Sequence, residues 1–151
     1  MNVTRDTPRY APRTAGYQVA GTLIKAVVGI IGLLTVGIGA WSSVDPASFA
    51  ALVQFPPHTH FLHDIGAFQV GIGVTLLLAL LWEDGIAVAL GGFLTGNTLH
   101  VMSHIMDNHL GGRPTDWLLL SIVSLVTTAA LAVRLRQLRR IPDAGSTPAS
   151  G

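Results

Sequence analysis

The chain of 151 residues contains no cysteine, so neither a disulfide nor a thiolate metal site can form, and nothing follows about redox compartment. Charge is also scarce: Asp, Glu, Lys and Arg make up 11% of the residues, against about 25% in a soluble domain. Aromatic residues are few, at 7%, whereas apolar residues of all kinds make up half of the chain and the mean hydropathy is clearly positive. That balance excludes an ordinary soluble domain and places the chain in a lipid bilayer. No glycine-rich phosphate loop follows a predicted strand, and there is no folded basic domain, so no nucleic-acid partner is expected.

What the sequence does have is long apolar runs. A membrane span needs roughly twenty largely apolar residues, and four segments qualify, at about 19–41, 61–82, 85–106 and 117–133. Strands of an outer-membrane barrel would alternate over about ten residues, and these runs are longer and rich in Gly and Ala. The expected fold class is therefore all-α, a four-helix transmembrane bundle over 19–135, with mobile cytoplasmic tails at 1–18 and 136–151. The first run follows Arg5, Arg9 and Arg13 as a signal peptide would. Its apolar core exceeds the roughly 7–15 residues of a signal core, so it reads as a retained span.

The cations fix an expected orientation. Arg5, Arg9, Arg13 and Lys25 lie at or before span one, Arg134, Arg136, Arg139 and Arg140 follow span four, and Arg113 alone lies elsewhere. The positive-inside rule then makes both termini cytoplasmic, as an even number of spans requires. RLRQLRR reads as a topology anchor touching anionic lipid in preference to an RNA-binding tail. Trp41 and Trp117 mark the outer interface and Trp82 the inner one. In the first outer loop, Phe49, Leu52, Val53 and Phe55 near helical spacing predict a short helix on the membrane surface.

Polar chemistry gathers at one end. The WEDG turn makes spans two and three an antiparallel hairpin of neighbours. At about 1.5 Å per residue, His63 is then level with His104, His60 with Asp107 and His58 with His109, so all six histidines lie at the outer end, with Asp64 beside His63. Projection at about 100° per residue puts Phe93, Asn97, His100, His104 and Asp107 on one stripe of span three. It puts His60, His63, Asp64, Ala67, Gly71 and Val74 on one stripe of span two. If the stripes face each other, Ala67 and Gly71 leave room for His100 and Asn97, while Gln69 meets another helix.

Three readings of this cluster are open: neutral histidines bonding water at the headgroup level, a proton- or pH-sensing group, and a metal site. The metal reading accounts best for the grouping, and makes the expected function divalent metal binding in a small redox or hydrolytic site. His63, His100 and His104 would be ligands, Asp64 and Asp107 ligands or orienting partners, His60 a further candidate and Asn97 a support. Zinc, iron, manganese or copper(II) suits such a nitrogen and oxygen shell. HVMSH has the two-histidine spacing of a zinc peptidase, but Val101 stands where the general-base Glu belongs. The histidine boxes of membrane desaturases need more ligands than the chain supplies. Haem between His63 and His104 is disfavoured, because nothing beside them is specific for a porphyrin. A proton or metal carrier is disfavoured because both stripes turn apolar below Asn97.

The glycines of KAVVGIIGLLTVGIGA, GAFQVGIG and ALGGFLTG are expected to allow close helix contact in spans one, two and three. In span four, Ser121, Ser124 and Thr128 are expected to do the same while bonding their own carbonyls. Apolar outer stripes also suit packing against a second copy or a larger membrane complex.

The stretches HFLHDIGAFQVGIG and NTLHVMSHIMDNH resemble a family of small four-span bacterial membrane proteins with an H-x-x-x-D-x-G-A stretch opening span two and H-x-x-x-H closing span three. His60, Asp64, Gly66, Ala67, His100 and His104 match that pattern, and the topology is more loosely similar to the DoxX-like group. The resemblance covers the four spans and neither tail. It implies a four-helix bundle in a bacterial cytoplasmic membrane and a single histidine face, and no reaction.

Overall fold

A computed structural model describes residues 15–82, 85–107 and 109–139. The cations Arg5, Arg9, Arg13 and Arg140, the Glu83–Asp84 turn and most of both expected tails lie outside those residues. The described residues form five helices and no strand: α1 (Ala15–Val44), α2 (Pro46–Val53), α3 (Thr59–Ala79), α4 (Gly85–Met106) and α5 (Asp116–Leu138). All except α2 are long and apolar enough to cross a membrane, so the chain is a multi-pass integral membrane protein.

Two spans outrun their apolar runs. Residues 15–18, placed in a tail by sequence, open α1. Helix α5 continues beyond residue 133 to Leu138. Hydropathy stops at the first arginine, but Arg and Gln are good helix formers and no Pro or Gly interrupts the sequence through Leu138.

The short α2 forms where expected, and its ends have identifiable causes. Pro46 stands in its first turn, and the N-cap Asp45 accepts a hydrogen bond at Oδ1 from the Ser48 amide at 3.1 Å. The helix stops at Gln54, which takes the left-handed conformation (φ 56°). From there α2 is tied to the α4–α5 loop: the Gly112 amide donates to the Gln54 carbonyl at 2.9 Å, and Arg113 Nη2 donates to the Leu52 carbonyl at 2.6 Å.

The four spans are organised as two intimate pairs, α1 with α3 and α4 with α5, while α3 with α4 and α1 with α5 meet more sparsely. Glycine explains the first pair. Gly32 and Gly39 of α1 oppose Gly73 and Gly66 of α3, the same seven-residue interval on both helices. A methyl on Gly39 would stand 2.6 Å from the Gly66 carbonyl oxygen, and one on Gly73 would stand 2.7 Å from that of Gly32. Such an approach is what holds helices together in lipid, where apolar surface alone supplies no preference. Gln69, turned off its stripe, lies against Gly39 of α1 as expected.

The glycines expected to pack α4 do not. A methyl on Gly91, Gly92 or Gly96 would meet nothing within 4 Å, and the same holds for Gly71 of α3. Helix α4 is instead held by a polar link. Asn97 Nδ2 donates to Ser124 Oγ at 2.8 Å and to the Leu120 carbonyl at 2.9 Å, both on α5. Ser121 and Thr128 bond their own helix, to the carbonyls of Trp117 and Ser124.

All four spans converge only near the chain termini. Ile24, Val28 and Ile31 of α1, Leu76 and Ala79 of α3, Ile86, Ala89 and Leu90 of α4, and Ala130 of α5 make one buried cluster there. Beyond Leu90 no residue of α4 is buried.

Candidate functional site

At the opposite end, α3 begins and α4 ends, so their histidines share that end as the hairpin requires. The structure arranges them as separate pairs. His60 Nε2 and Asp64 Oδ2 are 3.6 Å apart, one turn along α3, and both side chains are well exposed. His63 is also exposed. His58 serves the backbone, capping α3 with its Nδ1, which accepts from the Phe61 amide at 3.3 Å.

On α4, His100 and His104 stand one turn apart with their rings 4.8 Å between centroids, and their Nε2 atoms meet at 3.1 Å. That is hydrogen-bonding distance, so one imidazole donates and the other accepts. Helical spacing alone places the two rings on one face.

The wall facing His104 comes from the α4–α5 loop. Gly111 and Gly112 take φ values of 140° and 87°, which turn the chain back across the end of α4. A methyl on Gly112 would lie 3.4 Å from His104 Cε1 and 3.7 Å from Asp116 Oδ2, so the His104 ring and the Asp116 carboxylate flank this glycine. Asp116 opens α5 and accepts at Oδ2 from the Arg113 amide at 2.9 Å. Sequence reasoning misses Asp116, whose only local signal is an acidic residue opening an apolar run.

The expected facing stripes are not formed. Asn97, placed beside Ala67 and Gly71 by projection, turns its amide to α5, and Ala67 and Gly71 are exposed. Asp107 is exposed past the end of α4, its amide donating to the Ser103 carbonyl at 2.8 Å. His109 is exposed as well. Among the described residues, no three His, Asp or Glu side chains converge closely enough to hold one metal ion. The reason is the pairing of helices: α3 is committed to α1 through glycine and α4 to α5 through Asn97, so the two polar stripes have different neighbours.

No family model matches this chain, nor does any curated protein or solved structure.

Proposed function

We propose that this integral membrane protein binds a divalent transition metal ion through His100 and His104, with coordination positions left for water or a small substrate. The observation that carries the reading is the 3.1 Å separation of the two Nε2 atoms. Nitrogens that far apart, each about 2.0–2.1 Å from one ion, subtend an angle of roughly 100° at it. This suits tetrahedral and octahedral shells alike. A centre with few protein ligands is open, as reactive metal sites are and structural ones are not. Asp116, across Gly112 from His104, is the group suited to orient that ring. His60, His63, Asp64 and Asp107 are not part of this smaller ligand set.

In this reading the site faces the extracytoplasmic side. Among the described residues Lys25, Arg134, Arg136 and Arg139 lie toward the terminal end, and Arg113 alone toward the histidine end. The positive-inside rule assigns the terminal end to the cytoplasm. The likeness of the histidine motifs to small four-span bacterial proteins supports a bacterial cytoplasmic membrane.

Copper(II) added to the detergent-purified full chain tests the reading by electron paramagnetic resonance. Two coordinated imidazole nitrogens are expected, lost in His100→Ala and in His104→Ala and kept in His60→Ala and His63→Ala. A nitrogen signal indifferent to His100 and His104 would overturn it. A proton-sharing pair is the second reading, supported by the same hydrogen bond, and it predicts no retained copper in any of these proteins.

A further inference from the structure

Among the described residues, Arg113 is the lysine or arginine that lies toward the histidine end, against the charge bias that sets the topology. Its bonds give it a use there. Its Nη2 donates to the Leu52 carbonyl of α2 at 2.6 Å, and its backbone amide donates to Asp116 Oδ2 at 2.9 Å. One residue earlier, the Gly112 amide donates to the Gln54 carbonyl at 2.9 Å.

Helix chemistry explains the acceptor. Leu52 lies in the last turn of α2, where carbonyls have no partner within the helix. A guanidinium placed there also meets the negative end of the helix dipole. With 8 residues, α2 is shorter than the roughly 12–15 that stand alone in water, so it depends on ties of this kind.

The other ties of α2 run to α1 and α3. Trp41 Nε1 donates to Ser48 Oγ at 2.8 Å, and the Trp41 and Phe49 rings meet edge to face at 5.8 Å. Just past α2, Phe55 stacks on Phe61 of α3 with 5.8 Å between centroids. Helix α2 therefore belongs with the α1 and α3 pair, whereas Gly112 and Arg113 belong with α4 and α5. Their bonds to α2 join the two pairs at the end that the buried cluster does not reach.

The consequence falls on His104. Its ring lies beside Gly112, with the Asp116 carboxylate also against that glycine. Whatever anchors the loop sets the position of that wall.

We propose that Arg113 is a positioning residue for the His100 and His104 pair. Through the Leu52 carbonyl it clamps the α4–α5 loop to α2, and so holds Gly112 and Asp116 in place around the His104 ring. The copper readout of this proposal rests on the metal reading of the pair, and the ring readout does not.

Carbon–proton NMR of the histidine rings in the metal-free full chain tests the clamp, with signals assigned from His100→Ala and His104→Ala. Arg113→Gln, shorter and uncharged, is expected to shift the His104 Cε1 signal and to speed hydrogen exchange of the Gly112 amide several-fold. The thermal midpoint of the spans is expected to stay near the native value. Arg113→Lys keeps a cationic donor and is expected to restore most of both effects. Copper affinity is expected to fall in Arg113→Gln by no more than about tenfold, the scale of one hydrogen bond to a charged group. Both coordinated nitrogens are expected to remain.

A His104 signal unmoved in Arg113→Gln, or moved as far in Arg113→Lys, overturns the proposal. So does copper that the native chain retains and Arg113→Gln binds equally well. If the native chain retains no copper while the His104 signal shifts in Arg113→Gln and recovers in Arg113→Lys, the metal reading fails and the clamp stands.

Discussion

Asn97 and Ser124 are joined across α4 and α5 by a 2.8 Å hydrogen bond from the amide Nδ2 to the hydroxyl oxygen. With the second bond to the Leu120 carbonyl, it fixes the rotation of α4 about its own axis and thereby the direction in which His100 and His104 point. Interhelical hydrogen bonds in membranes contribute about 0.6 kcal/mol on average and up to about 1.7. Asn97→Leu removes both bonds and is expected to lower stability by roughly 1 kcal/mol, measured by equilibrium unfolding in mixed micelles. Ser124→Ala, which leaves the carbonyl acceptor in place, is expected to have a smaller effect.

The glycine contacts of α1 and α3 predict an asymmetry among substitutions of identical chemistry. A methyl on Gly66 would stand 2.6 Å from Ser42 Oγ and 2.7 Å from the Gly39 carbonyl, so the helices must move apart. Gly66→Ala is expected to cost about 1–3 kcal/mol. Gly71→Ala, five residues on in the same helix with nothing within 4 Å, is expected to be neutral or stabilising. Thermal melts of the two variants in one detergent distinguish them.

Gly112 couples backbone strain to the candidate site. At φ 87° an L side chain is strained by about 1–3 kcal/mol. Its methyl would also come into contact with His104 Cε1 at 3.4 Å, so any backbone shift that relieves the strain is passed to that ring. Gly112→Ala is therefore expected to lower stability and to weaken copper retention at His100 and His104 together, although it removes no ligand. Unchanged copper affinity in that variant would show that the loop does not position the ring.

Copper or zinc affinity at the pair is expected to rise with pH, because both Nε2 atoms must be unprotonated to bind metal. Titration at constant ionic strength and several pH values measures the slope.

Acid is expected to loosen α2 before the spans. Hydrogen bonds from the Ser48 side chain and amide hold the Asp45 carboxyl below its ordinary range. A carboxylate with a lowered folded value contributes stability that is fully present above its unfolded value, near 3.9, and is lost as pH falls through the folded one. Asp45 is fully exposed, so the effect is local. Faster exchange of the Ser48 and Phe49 amides below about pH 4, after correction for intrinsic rates, would report it, and Asp45→Asn is expected to show a weaker pH dependence.

Hydropathy and residue spacing suffice for the number and class of the spanning elements, though not for the full length of α1 and α5. In lipid each helix must satisfy its own backbone hydrogen bonds, so a long apolar run is a local and sufficient signal; α4 begins and ends at the expected residues, 85 and 106. Spacing also suffices to bring the histidines to one end, because depth along a helix follows from counting residues, and to put His100 and His104 on one face, because they are one turn apart. Which helix each face meets is settled by packing in three dimensions. A short turn makes α3 and α4 consecutive, but hydrophobicity supplies no preference between neighbours inside a bilayer. Close glycine approach binds α3 to α1 and the Asn97 amide binds α4 to α5, so His63 and Asp64 are left apart from His100 and His104. The same pairing carries Asp116 to His104 and closes Gln137, which by sequence belongs to a tail, over Arg134.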